Sequence, residues 1–391
     1  MNEIQVKVPA TPEGGYPIVI GTGILSGLLE RIEREIPNKA LFIVTDESLA
    51  KAGHLATLTG GREVPSYVIR PAGEESKHFG TLAAILEAME AHRLGRDTVV
   101  IGLGGGTVGD IAGFAAAVFK RGVPVVHIPT TTVAQADSSI GGKTGVDSTQ
   151  SKNAFGCFWH PAAVFIDTAT LATLDERQYR AGLAESVKHA AIANPEYFAF
   201  LENHIDAILR RDTDVLGTVA GYNCLIKAAV VEEDPTEKNK RRILNYGHTV
   251  GHAVESASQY QLLHGECVAI GMMAAGMLER AMGLADDGRM ERIEGLLKKL
   301  GLPTRIGGVG KDGVGIKKVD MVHPTSEQIP TCDMNIEHLL NLLTMDKKAV
   351  GKWPRFVLLE RLGQVYCRDG QWAAEVRPEV VKEVVSDLLK K

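Results

Sequence analysis

Thr98-Val-Val-Ile-Gly-Leu-Gly-Gly-Gly-Thr-Val-Gly-Asp-Ile-Ala-Gly-Phe-Ala-Ala-Ala-Val-Phe119 passes from an unbroken apolar run, through a glycine cluster, into an alanine-rich segment. Its length invites a membrane reading, but the glycines and Asp110 argue for a buried strand, a tight loop and a helix. A strand that is apolar without alternation belongs to a sheet covered on both faces. Three more runs have this character: Ala40 to Thr45, Val123 to Ile128 and Ala163 to Asp167. Thr81 to Ala91 carries helical apolar spacing between the first two strands. The alternation predicts a mainly parallel sheet with helices on both sides.

The texture changes near residue 170. Helix-period stretches fill 175–209, 213–233, 246–261, 264–283 and 287–300. The expected division is an α/β unit at 1–174 and a mostly helical unit at 175–391. Arg355 to Glu360 and Gly363 to Cys367 read as a small hairpin, and 307–330 as a long loop. At 391 residues, with 43 Lys and Arg against 48 Asp and Glu, the chain is mildly acidic at −5, which disfavours nucleic acid as a partner. The five cysteines are odd in number and none is in CxxC spacing, so a reducing compartment is expected rather than a disulfide framework. The first residues lack the apolar core of a leader. A cytoplasmic protein with no membrane partner is therefore expected.

The chemistry-bearing residues fall in clusters. Gly102 to Asp110, between strand and helix, suits either a phosphate cradle at a helix N-terminus or a plain tight turn. Pro129-Thr-Thr-Thr132 follows the next strand, at the edge where α/β sheets collect ligands. Asp137-Ser-Ser-Ile-Gly-Gly-Lys-Thr-Gly145 offers an anion clasp or a solvated turn. Asn245-Tyr-Gly-His-Thr-Val-Gly-His252 puts two histidines four apart on one helix face, with His264-Gly-Glu266 next and Glu185 and Lys188 upstream. A carboxylate and imidazoles suit a zinc-like ion with an open position, or the histidines are caps and core hydrogen-bonders. Spacing alone selects His248 and His252 as the ligand pair. Glu237, Arg241 and Asn245, spaced by four, predict one helix face; an exposed ion-pair ladder would look the same.

Taken in order, the glycine loop with GD, RGV, PTT, DSSIGGKTG, KN, LAExxK, NxGHTxGH and HGE resemble 3-dehydroquinate synthase and the other sugar phosphate cyclases, from about residue 40 to 366. The resemblance implies an N-terminal NAD-binding domain with a Rossmann-like sheet, a helical C-terminal metal-binding domain, a site between them, and a homodimer. It implies one divalent metal, zinc or cobalt, on Glu185, His248 and His264, and it moves His252 from metal to substrate. It places NAD against Asp46, Glu74, Lys77, Gly105, Gly106, Thr107, Asp110, Thr130, Thr131, Lys143, Lys152, Thr170 and Thr173. Catalytic roles pass to Lys143, Lys188, Lys227, Glu237, Arg241, Asn245 and His252. Substrate contacts pass to Asp137, Asn153 and one of Lys347 and Lys348, and Arg121 would reach the neighbouring subunit's site.

The substrate so implied is a sugar acid phosphate, 3-deoxy-arabino-heptulosonate 7-phosphate. The implied reaction is transient oxidation by NAD, β-elimination of phosphate, reduction, ring opening and aldol closure. Four positions depart from the family pattern: Ser186, His189, Tyr246 and Asp147. Two other activities share parts of the layout. One is a cyclase acting on a different sugar phosphate. The other is an NAD- and metal-dependent polyol dehydrogenase, which has little use for phosphate-directed cations.

Overall fold

A computed structural model describes residues 15–36, 39–149, 151–284, 288–306, 334–345 and 353–390. Its centre is a six-stranded parallel sheet in the order β1-β8-β5-β4-β2-β3. The strands are β1 (Ile18–Gly21), β2 (Ala40–Asp46), β3 (Ser66–Ile69), β4 (Thr98–Gly104), β5 (Val125–Pro129) and β8 (Ala163–Asp167). The four strands legible as apolar runs are all present. β1 and β3, four residues each, were missed because such short segments carry too little pattern.

Both faces of the sheet are covered, which is why its strands do not alternate. Phe42, Val44, Val100 and Val125 pack with α4 (Phe79–Ala91) and α5 (Gly106–Val118). Ile43, Val99, Ile101 and Val126 point the other way, toward α1 (Leu28–Glu35) and α3 (His54–Thr59). The short α2 (Glu47–Lys51) follows β2. The glycine-rich anion-clasp segment is not a simple loop. It forms a π-helical turn at Ala134–Ser138 and then a hairpin of β6 (Lys143–Val146) and β7 (Phe155–Phe158), paired antiparallel with Lys143 opposite Phe158.

Beyond the sheet the chain is helical. The expected helical stretch at 175–209 is three helices, α6 (Glu176–Ala193), α7 (Pro195–Asn203) and α8 (Ile205–Leu209). Pro195 cannot continue α6 and instead opens α7, where Asn194 caps by accepting from Tyr197 N. α9 (Thr213–Glu233), α10 (His248–Ala257), α11 (His264–Ala281) and α12 (Arg289–Lys299) follow, with α13 (Ile336–Met345) and α14 (Pro378–Leu388) closing the bundle. The expected hairpin is split. β9 (Arg355–Phe356) pairs with β12 (Ala374–Glu375), and β10 (Leu359–Arg361) with β11 (Gln364–Val365). Among the described residues α9 alone is long and apolar enough to cross a membrane. It packs on α6 and β1. The expected loop at 307–330 lies outside the described residues.

The carboxyl ends of the strands face the helices. Thr132 Oγ1 donates to the Tyr179 carbonyl on α6 at 2.9 Å, and Ile140, Val164 and Ile166 share a small core with Ala220 and Cys224 of α9. The loops that leave the sheet are thereby pressed against α6 and α9.

Candidate active site

The strand order reverses between β2 and β4, and in such sheets a crevice opens at that point beyond the carboxyl ends. Asp46 ends β2 and caps α2, accepting from Ser48 N at 2.9 Å and Leu49 N at 3.1 Å. Gly105 caps α5; a Cβ there would stand 2.9 Å from Thr131 Cγ2, so only glycine lets the two loops close up. Gly106 and Thr107 begin α5, whose first N–H groups have no intrahelical acceptor. Thr107 Oγ1 donates to Glu74 at 2.6 Å, and the buried Lys77 ammonium lies 2.6 Å from Asp110. Burial opposes the charge on Lys77, but Asp110 and Glu74 outweigh it and raise its pKa. Thr130 Oγ1 is buried with no partner, an orphaned polar atom at the strand edge. Thr170 and Thr173 close the rim in the turn after β8. These are the residues assigned to NAD, and they gather on one edge. Their orphan donors and glycine-bared backbone fit a dinucleotide.

The metal-type donors come from three helices. Glu185 sits in the middle of α6, and His248 and His264 open α10 and α11. α10 and α11 approach so closely that a Cβ on Gly271 would drive into the Gly247 carbonyl oxygen. Glu185 Oε1 lies 3.2 Å from His264 Nε2 and 3.6 Å from His248 Nε2. His248 turns Nδ1 to the Tyr246 carbonyl at 3.0 Å, which leaves Nε2 for an ion. Burial opposes charge on Glu185, yet Lys188 and His248 hold its pKa well below the usual carboxylate range. Burial likewise opposes charge on His264, but Glu185 and Glu255 lift it to about 10, whereas His248 is pushed well down by burial. A carboxylate and two imidazoles within 4.8 Å of one another fit a divalent cation, whose binding would displace the His264 proton.

His252 belongs to the same ring cluster, its centroid 5.3 Å from His248 and 5.9 Å from His264. The spacing-based pair and the resemblance-based triad are therefore both assembled. Glu255 was missed by sequence reasoning. It stands 3.4 Å from His264 Nδ1 and 2.9 Å from Lys152 Nζ, so it links the metal side to the cofactor side. The signal was available: 248, 252 and 255 fall on one helix face.

The cations flank this centre. Lys188, 1% exposed, lies 2.5 Å from Glu185 and 4.0 Å from Asp137. Lys227 pairs with Asp137 at 2.8 Å and also donates to its backbone carbonyl. Burial lowers Lys227 despite Asp137. Lys143 pairs with Glu237, and Asn245 Nδ2 donates to Glu237 at 2.9 Å. Glu237, Arg241 and Asn245 do not share an α-helix face. Glu237 has φ +58 in a loop, and only Lys240–Asn245 forms a 3-10 turn, because the Asp234 carboxylate ties up the N–H groups of Lys238, Asn239 and Arg241. Arg241 is buried, donating to Gly141 at 3.0 Å and Pro235 at 2.7 Å, while its Nε has no partner. Asn153 takes φ +49 and donates through its backbone N to Asp147 at 2.6 Å. Arg121 is not brought here. It lies past the far end of α5, roughly 20 Å along the helix from Gly105 by helical rise. Lys347 and Lys348 lie outside the described residues.

Comparison with known proteins gives this constellation its family. The 3-dehydroquinate synthase N-terminal model matches residues 67–181 and the C-terminal model residues 182–349. A 3-dehydroquinate synthase of Nitrosospira multiformis is 40% identical over 99% of this chain and 100% of its own length. A crystal structure of 2-deoxy-scyllo-inosose synthase with carbaglucose-6-phosphate, NAD+ and Co2+ superposes with a TM-score of 0.80 at 28% identity, covering 95% of this chain and 96% of the other. A 2-epi-5-epi-valiolone synthase from Streptomyces hygroscopicus, with NAD+ and Zn2+ bound, also reaches 0.80, at 26% identity over 98% and 99%. With both halves matched in order and near full-length identity to such a relative, the chain belongs to the 3-dehydroquinate synthase family.

Proposed function

We propose that this chain is a 3-dehydroquinate synthase, converting 3-deoxy-D-arabino-heptulosonate 7-phosphate to 3-dehydroquinate and phosphate in the shikimate route to aromatic amino acids. The observation that carries the reading is the meeting of three poles at one place: a glycine-cradled strand edge, a Glu-His-His cluster joined to it through Lys152 and Glu255, and buried cations beside them. The division at 174/175 then separates a cofactor half from a metal and substrate half.

When bound, NAD+ takes up and returns a hydride, and a divalent metal on Glu185, His248 and His264 acidifies a substrate hydroxyl. The chain's own residues do the rest. Asp137 accepts a ring hydroxyl and Lys188 holds it beside Glu185. Arg241, through its unpartnered Nε, and Lys227 face the substrate carboxylate. Lys143, Asn153, Asn245 and His252 hold the phosphate, with a lysine of the 347–348 pair and the partner copy's Arg121. Glu237, between Lys143 and Asn245, keeps these two groups ordered until a phosphate replaces it. As the C–H proton passes to an oxygen of the substrate's own phosphate and that phosphate departs with the C–O bonding pair, these donors balance the charge on the leaving group. Water exclusion and orientation then guide ring opening and aldol closure. A polyol dehydrogenase would need no such set of anion-directed donors.

The homodimer belongs to this reading. Phe79, Phe155, Phe158 and Val118 are exposed on α4, β7 and α5, and the Phe79 and Phe155 rings meet at a 57° tilt with centroids 4.9 Å apart. Such a patch beside Arg121 suits a second copy of the chain. Arg121→Ala and Lys143→Ala variants, each inactive alone, are expected to regain activity when unfolded and refolded together. No regain in mixed dimers would remove Arg121 from the neighbouring site. The function itself is tested by identifying the product: 3-dehydroquinate from the heptulosonate phosphate supports it, and an intact substrate with folded, metal-loaded enzyme rejects it.

A further inference from the structure

We propose that Arg177 and Glu266 are positioning residues for the metal ligand His264, a guanidinium-carboxylate clamp that fixes where the first turn of α11 meets α6. The inference rests on the Glu185, His248 and His264 set of the reading above. His264, Gly265 and Glu266 are consecutive at the start of α11, and each meets a different residue of α6. His264 Nε2 lies 3.2 Å from Glu185 Oε1. A Cβ on Gly265 would stand 1.7 Å from the Ala181 carbonyl oxygen, so the α11 backbone rests directly on α6 there. Glu266 takes the Arg177 guanidinium with both oxygens, Oε1 from Nε and Oε2 from Nη2, each at 2.8 Å. Arg177, Ala181 and Glu185 are spaced by four and share one face of α6. The three contacts are thus rungs in one register, and the metal pair is the last of them.

A ligand on the first residue of a helix needs such support. The first N–H groups of a helix have no acceptor within it, and its end frays unless something else holds it. Here Glu266 Oε2 also accepts from Leu263 N at 2.8 Å, closing the N-terminus of α11. Arg177 Nη2 also donates to the Gln261 carbonyl at 2.8 Å. The backbone is therefore held on both sides of His264, and both holds end on the helix that carries Glu185. The Glu266 side chain is 4% exposed, so solvent does little to weaken the pair. Arg177 lies two turns from Glu185, roughly 12 Å along α6 by helical rise, so the clamp acts on the metal donors through the backbone.

The test titrates Co2+ alone into the full chain against a chelator, and reads affinity and the visible absorption of the bound ion. It is run at a temperature where circular dichroism shows each variant folded. The parent must bind Co2+ and His264→Ala must bind it more weakly; if either fails, the metal set falls and this proposal with it. With both met, Arg177→Met is expected to weaken Co2+ binding by on the order of 10-fold, the scale of an outer-shell change, and to alter the absorption of the bound ion. Glu266→Gln still accepts from Leu263 N but gives up the charge. It is expected to lose affinity in the same direction even where Arg177→Met fails to fold. The double variant is expected to cost less than about 3-fold beyond Arg177→Met, because the two side chains act as one. A pair that only stabilised the fold would lower the unfolding midpoint and leave the ion as it was. Parental Co2+ affinity and absorption in folded Arg177→Met or Glu266→Gln, or losses that multiply in the double variant, overturn the proposal.

Discussion

Replacing His264 with alanine is expected to weaken Zn2+ or Co2+ binding by more than the roughly 10–100-fold typical of an outer-shell change, and to lower phosphate release with it. The reason is geometric. His264 Nε2 and His248 Nε2 both face Glu185 Oε1, at 3.2 and 3.6 Å, so the loss of His264 leaves a carboxylate and one imidazole. Glu255→Gln should fall between that variant and the parent. It keeps the packing but removes the carboxylate that lies 3.4 Å from His264 Nδ1 and sets that ring. Cobalt titration against a chelator measures both. Parental affinity in His264→Ala would exclude the Glu185, His248 and His264 set and return the choice to His248 and His252, four apart on α10.

The largest expected loss of stability comes from a site far from the chemistry. Arg289→Met is expected to destabilise the chain by about 3–5 kcal/mol, the usual result of leaving one member of a buried pair alone. Arg289 Nε donates to Glu279 at 2.9 Å with both side chains almost wholly buried, and its guanidinium also reaches the Leu359 carbonyl at 3.1 Å and the Glu360 carbonyl at 2.9 Å. Glu279 in turn accepts from Leu359 N at 2.7 Å. The pair thus fastens β10 to α11 and α12. Removing both charges, Arg289→Met with Glu279→Met, should be less damaging than Arg289→Met alone, because no uncompensated carboxylate remains. Urea unfolding of the three variants decides it. A single variant within 1 kcal/mol of the parent would show that Glu279 is not left buried and unpaired.

The sequence carried the sheet through Thr98 to Asp110 and its sister runs, because a strand covered on both faces has to be apolar throughout. It did not carry β1 and β3, which are too short to show a pattern, or the β6–β7 hairpin, whose glycines read as a loop. The metal donors show a similar limit. Helical period brings His248 and His252 together, but Glu185 and His264 reach them only through the packing of α6 and α10 on α11, which no local spacing encodes. Resemblance supplied that triad. Resemblance also marked Ser186 and His189 as departures without giving them a purpose; the contacts of both with Asn223 exist only between helices. The shared helix face expected of Glu237, Arg241 and Asn245 failed because the Asp234 carboxylate captures the local N–H groups before a helix can begin.

The central claim is a closed redox cycle in one cleft, in which the nicotinamide is reduced and reoxidised before product leaves. Phosphate release and NADH absorbance, followed together on the heptulosonate phosphate with NAD+ and Zn2+, test it most directly. The account predicts continuous phosphate release that a chelator stops, with no net NADH in solution. NADH accumulating in step with turnover, or phosphate release unaffected by the chelator, would contradict it.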